Sequence, residues 1–152
     1  MIRFNNSINI AVPVTEVFDF VSNFENIPKW NYYVLNVTKK TPGPVNLGTI
    51  YHQERKSDNQ DFQIVELNRN HLIVIETIPG SQPYFKRTVF FRQGIKEALI
   101  EDIWKLNTRT PQFLEKLILP RIRSAVFQNL TILKDLLENK TAILQNGKKV
   151  HI

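Results

Sequence analysis

The sequence predicts an α+β domain: a curved six- to seven-stranded antiparallel sheet wrapped around one long C-terminal helix, with two short helices after the first strand. Three observations carry that expectation. From Gly48 to Asn107, strand-like segments succeed one another across links of four or five residues, Ser57–Gln60, Asn68–His71, Pro79–Pro83 and Gln93–Lys96. Such links suit antiparallel hairpins and are too short for parallel crossovers. Residues 111–139 carry an apolar stripe at helical spacing, from Phe113 and Leu117 to Leu136 and Leu137. Finally, 152 residues with 42% hydrophobic content, ten Phe, four Tyr and two Trp can fill one core, and the length suits a common domain of ~100–150 residues.

The elements follow in order. Phe4, Ile8 and Ile10 alternate with polar residues, so residues 2–11 read as a strand with one buried face. Pro13 suits the start of a helix, and Val14, Val17, Phe18 and Val21 continue at helical spacing to about residue 22. Phe24, Ile27 and Trp30 suggest a second short helical turn. A strand over 33–40 ends at the turn-rich Thr41-Pro42-Gly43-Pro44. The meander then takes strands at 48–56, 61–67, 72–78, 84–92 and 97–107, and the last helix should kink at Pro120. Residues 1–139 are read as the domain proper and 140–152 as a C-terminal tail that frays or adds a small appendage.

Hairpin geometry indicates which side chains face inward. If Arg92 and Glu97 flank a four-residue loop, Phe91 opposes Ala98, Val89 opposes Ile100, Arg87 opposes Asp102, and Phe85 opposes Trp104. This largely apolar face should point into the molecule, with Arg87 and Asp102 close enough to pair. A charged pair in an apolar wall is costly to desolvate. It is either a structural pair at a cavity edge or a polar anchor for a ligand. The same alternation turns Ile73, Ile75 and Thr77 inward, then Phe62, Ile64 and Glu66. One step further it turns in Tyr51, Gln53 and Arg55, or, after a bulge, Ile50, His52 and Glu54. A curved sheet cannot touch a straight helix everywhere, so a small-molecule cavity is expected between them.

Several chemistries lack their signatures. There are no cysteines, which removes thiol nucleophiles, disulfides and the usual structural zinc sites and fits a reducing compartment. Ser7, Ser22, Ser57, Ser81 and Ser124 lie outside any Gly-x-Ser-x-Gly turn. His52, His71 and His151 form no metal-binding spacing, and Gly80 and Gly94 are isolated turn glycines rather than a phosphate loop. No metal or cofactor is therefore expected, and no catalytic residue is assigned. The absence of a long apolar run or a signal-like N-terminus predicts a soluble, cytoplasmic protein.

The segment Ile10-Ala11-Val12-Pro13-Val14-Thr15-Glu16-Val17-Phe18-Asp19-Phe20-Val21, followed by Asn26-Ile27-Pro28-Lys29-Trp30, resembles the opening of the START-like superfamily. Its polyketide cyclase/dehydrase-type branch is the most similar. Pro42-Gly43-Pro44-Val45-Asn46-Leu47-Gly48-Thr49 resembles that branch's loop into its third strand, and Leu130 to Glu138 the end of its final helix. The resemblance implies the helix-grip fold and an internal cavity for apolar or amphipathic ligands. It does not choose between carriers and enzymes.

The expected function is binding, transport or sequestration of a small hydrophobic or amphipathic molecule between sheet and final helix. Arg87, Asp102 or a Tyr hydroxyl would orient it, and Phe85, Val89, Phe91, Ile100, Trp104, Ile75, Leu117 and Tyr51 complete the predicted lining. Trp30 is assigned to the core, the cavity mouth being its alternative place. A cyclase- or dehydrase-like enzyme is the alternative function, with Asp102, Glu66 or His52 as proton carriers. A third class is a basic surface that contacts an anionic partner. The net charge of +6 and pI near 9.7 permit weak attraction to anionic membranes. Yet the charge is scattered, at Lys39-Lys40, Arg55-Lys56, Lys86, Arg92, Lys96, Lys105, Arg109, Lys116, Arg121 and Arg123, and no nucleic-acid signature accompanies it.

Overall fold

A computed structural model describes residues 1–152. The chain runs β1 (Ile2–Ile10), α1 (Val14–Ser22), a 3-10 turn (Phe24–Lys29), β2 (Val34–Lys39), β3 (Ile50–Arg55), β4 (Asn59–Asn68), β5 (Leu72–Thr77), β6 (Phe85–Gln93) and β7 (Ala98–Leu106). The helix α2 (Gln112–Asn139) and a hairpin of β8 (Thr141–Ile143) and β9 (Lys149–His151) complete it. Strands β2 to β7 form an antiparallel meander, and β1 returns to pair with β7, giving the order β1-β7-β6-β5-β4-β3-β2. With α2 laid along this curved seven-stranded sheet, the architecture is the expected helix-grip fold.

Alternation places the core. In β1, Ile2, Phe4, Asn6 and Ile10 are buried between exposed neighbours. The one polar member, Asn6, is satisfied by donating from Nδ2 to the Arg123 carbonyl of α2 at 3.1 Å, which fastens helix to sheet. Val17, Phe18 and Val21 form the buried face of α1. Pro13 stands just before its first turn, where no N–H is needed, and Gln93 Oε1 accepts from the Val14 N–H at 2.8 Å. Leu130, Ile132, Leu133, Leu136 and Leu137 bury the C-terminal half of α2. The hairpin after α2 adds Ala142, Leu144 and Val150 to the same core.

The structure corrects three expectations of register and face. The β6–β7 hairpin is displaced by two residues: Phe91 opposes Ile100, Val89 opposes Asp102, Arg87 opposes Trp104, and Phe85 opposes Leu106. The turn sits one residue later, closed by the Gly94 N–H donating to the Glu97 carbonyl at 2.7 Å. A Cβ on Gly94 would lie 2.9 Å from that carbonyl oxygen, so glycine fixes the loop there. A shift of two preserves which face points inward. In β4, the register shifts between Ile64 and Glu66, so Phe62 and Ile64 face inward while Glu66 is exposed.

The third correction concerns α2. It continues as one α-helix through Pro120. Its N-terminal half carries apolar residues on two faces rather than one. Ile122, Ala125 and Val126 turn toward the sheet, whereas Phe113, Leu117 and Phe127 are exposed on the other side. Leu117, expected in a ligand wall, is 70% exposed.

Candidate functional site

Between the concave sheet and the middle of α2 lies a cavity of about 330 Å³, at the small end of ligand sites. Twelve of its 21 lining residues are hydrophobic. The 3-10 turn contributes Ile27 and, just after it, Trp30; β5, β6 and β7 contribute Ile75, Phe85 and Trp104; α2 contributes Ile122, Ala125 and Val126.

Arg87 and Asp102 are set into this wall. Their side chains are 4% and 0% exposed. Because their Cα positions are diagonal rather than opposite, Arg87 reaches across to donate from Nε to Asp102 Oδ1 at 2.7 Å. Trp104 Nε1 donates to the other carboxylate oxygen, Oδ2, at 2.9 Å. Both oxygens of Asp102 are thus engaged by protein, as a buried carboxylate requires. The Arg87 guanidinium carbon lies 5.2 Å from the ring centroids of both Trp30 and Trp104, within cation–π range. Trp30 is 2% exposed, so it belongs to the core and also borders the cavity; its buried Nε1 has no acceptor in the protein.

Two buried glutamines form a second polar feature. Gln53 Nε2 donates to Gln60 Oε1 at 2.9 Å, and Gln60 Nε2 donates to the Pro83 carbonyl at 2.8 Å. On α2, Asn129 is buried at the cavity wall and its Oδ1 accepts from Gln145 Nε2 at 3.2 Å.

Of the residues selected from sequence, Arg87, Asp102, Trp104, Phe85 and Ile75 line the cavity together. Val89, Phe91 and Ile100 point inward but lie beyond its end, where α1 fills the space; Phe18 meets Phe91 edge-on with centroids 5.0 Å apart. Tyr51 is fully buried behind the wall, stacked on Phe62 at 5.3 Å. Its hydroxyl has no partner, and burial, aided by the charge of Glu25, pushes its pKa up to about 12. Leu117 lies outside the cavity altogether. Among the proton-carrier candidates, Glu66 is exposed, and His52 is partly exposed with Nδ1 2.6 Å from Asp61 Oδ1. Neither lines the cavity.

Sequence reasoning missed Gln60, Asn129 and the α2 wall of Ile122, Ala125 and Val126. Gln60 shares the inward alternation of Phe62 and Ile64, and Asn129 continues the helical spacing of Ile122 and Val126. Their signal was positional: Gln60 falls in the segment read as the Ser57–Gln60 link, whereas β4 already begins at Asn59, and Asn129 is a polar residue within an otherwise apolar helical spacing.

Residues 1–138 match the family described as "Polyketide cyclase / dehydrase and lipid transport". No curated protein matches the sequence significantly. Among solved structures, the chain is similar to TTHA0849 from Thermus thermophilus, with TM-score 0.73 and 12% identity over 89% of this chain and 96% of that one. It is also similar to the protein in the solution structure of the Aha1 dimer from Colwellia psychrerythraea, with TM-score 0.69 and 15% identity over 91% and 97%. The di-domain ARO/CYC StfQ of the steffimycin biosynthetic pathway gives TM-score 0.66 and 14% identity over 90% of this chain and 44% of that one. At such identities the likeness is one of fold.

Proposed function

Since the chain belongs to the polyketide cyclase / dehydrase and lipid transport family, we propose that it binds a small hydrophobic or amphipathic molecule between the sheet and α2, as a carrier or sequestering protein. The observation that carries this reading is the cavity itself, mostly apolar in lining and roofed by Ile122, Ala125 and Val126. Apolar burial would supply most of the affinity. A cyclase-like reaction is less well supported. Asp102 is the only carboxylate on the lining, and hydrogen bonds from Arg87 and Trp104 already occupy both its oxygens.

Both tryptophans of the chain border the cavity, so intrinsic fluorescence reports its occupancy. Titration with the neutral probe N-phenyl-1-naphthylamine should give a saturable change, lost when Ala125→Trp fills the space. A response that never saturates, or that Ala125→Trp leaves intact, would reject the reading.

The outer face of α2 favours a second, complementary reading: contact with an anionic bilayer. Phe113, Leu117, Pro120 and Phe127 recur along this face of the helix and are exposed. Lys116, Arg121 and Arg123 flank them, also exposed. The one carboxylate in this part of the helix, Glu115, is neutralised by the Met1 amino group at 2.8 Å. An apolar stripe whose unpaired flanking charges are all cations complements an anionic lipid surface, and the same helix roofs the cavity.

A further inference from the structure

The polar groups of the cavity are not balanced. Asp102 has both oxygens engaged, by Arg87 Nε and Trp104 Nε1. The donors facing it have a surplus. Of the three guanidinium nitrogens of Arg87, only Nε bonds a protein acceptor; Nη1 and Nη2 bond none, although the side chain is 4% exposed and lines the cavity. Trp30 Nε1, on the same wall, is buried with no acceptor. A buried donor such as Trp30 Nε1 costs free energy unless something supplies oxygen lone pairs, and the Arg87 Nη groups, which are not sealed from the cavity, can meet the same acceptor.

We infer that the ligand carries a carboxylate head group, accepted by Nη1 and Nη2 of Arg87 and by the Trp30 indole N–H, with its apolar body against Phe85, Ile122, Ala125 and Val126. This inference rests on the binding function proposed above and names the chemical class of its ligand. Three features favour a carboxylate. The guanidinium presents paired N–H groups in a planar fork that matches two coplanar oxygens. Asp102 and Trp104 hold that fork from its Nε side, and the two indole rings 5.2 Å away restrict it further, so little ordering remains to be done on binding. The charge count also disfavours a head group with more than one charge. Arg87 and Asp102 already cancel, and the other lining cation, Arg55, is paired with Asp58 through two bonds of 2.7 and 2.8 Å. A dianionic phosphate would bring two charges into a site with no free cation to offset them.

The test compares decanoate with 1-decanol, molecules of one chain length that differ in the head group, by tryptophan fluorescence near neutral pH. Wild-type protein should bind decanoate at least roughly ten-fold more tightly, the scale of one charge-assisted anchor over a neutral one. In the paired replacement Arg87→Met with Asp102→Leu, which leaves no unpartnered charge if it folds, the decanoate-to-decanol ratio should fall toward one. Trp30→Phe should lower the ratio partially and provides a milder variant that retains the ion pair. Equal affinities, or a preference for decanol, in the wild type would overturn the carboxylate inference while leaving the binding function standing. So would no response to either molecule when N-phenyl-1-naphthylamine still binds. No saturable response to any of the three would overturn both.

Discussion

At the scale of single residues, the Arg87–Asp102 pair is the most consequential choice in the sequence. Taking both groups out of water is expensive, and their mutual attraction with the Trp104 bond only offsets that cost. The pair is therefore weak evidence of stability and better evidence of a site. Its two halves are not independently removable. Asp102→Ala would strand a buried guanidinium and a buried indole N–H, and should lower the free energy of unfolding by about 3–5 kcal/mol. Arg87→Met combined with Asp102→Leu removes both charges and should cost distinctly less, although Trp104 Nε1 still loses its acceptor. Urea unfolding of the two variants checks this. A double variant no more stable than Asp102→Ala would show that packing, not the stranded charge, dominates.

At the scale of elements, α2 has two tasks divided along its length. Its C-terminal half is anchored by Leu130, Leu133, Leu136 and Leu137, while its N-terminal half presents Phe113 and Leu117 outward at 79% and 70% exposure. Sedimentation with phosphatidylserine-containing vesicles should retain the protein at low salt. Phe113→Ser with Leu117→Ser should reduce that retention several-fold and added salt should weaken it. Equal retention by neutral vesicles, or no loss in the variant, would reject the bilayer contact. Both substitutions are at exposed positions, so the fold should survive them. This division also shows what could be read in the sequence and what could not. Period-two alternation identified the inward faces of β5, β6 and β7, because parity survives an error of two residues in the turn, and it left two faces open for β3, of which the structure buries Tyr51 and Gln53. It could not locate that turn, which depends on Gly94 approaching the Glu97 carbonyl, nor the shift beside Glu66, which no residue type announces. Helical spacing identified α2 but merged two apolar faces into one, since Leu117 and Ile118 each fit a stripe and only the sheet's position tells them apart. Val89, Phe91, Ile100 and Tyr51 point inward yet lie off the cavity, because alternation gives direction along a strand and not distance from α1 and α2, whereas Leu117 points outward.

At the scale of the whole molecule, the +6 charge sets how stability responds to pH. Three carboxyls are held below their ordinary range. The Arg55 hydrogen bond draws Asp58 down from 3.8. For Asp61 and Glu138, burial pushes upward but is outweighed: by hydrogen bonds from His52 and Lys40 for Asp61, and from the Ala11 N–H and Lys134 for Glu138. A carboxyl whose folded pKa is depressed stabilises the fold above its unfolded value and loses that contribution as pH falls through the folded one. Stability should therefore decline below about 4.5, the ordinary value for Glu138. It should decline more steeply than these groups alone dictate, because each protonation adds to the excess positive charge. At the alkaline end the sign reverses. The Tyr84 hydroxyl, bonded to Glu76 at 2.6 Å, and the buried Tyr51 are both raised to about 12, so their contributions are present below 10 and lost between 10 and 12. Glu138 offers the most local check. It accepts from the Ala11 N–H at 2.7 Å and Lys134 Nζ at 2.6 Å, joining the end of α2 to the link between β1 and α1. Glu138→Gln should be less stable than wild type near neutrality, by an amount that shrinks as pH falls below 4.5, where the wild-type carboxyl also loses its charge. Urea midpoints measured across that range should converge. A difference that stays constant with pH would mean that the side chain acts through packing or a neutral hydrogen bond, not through its charge.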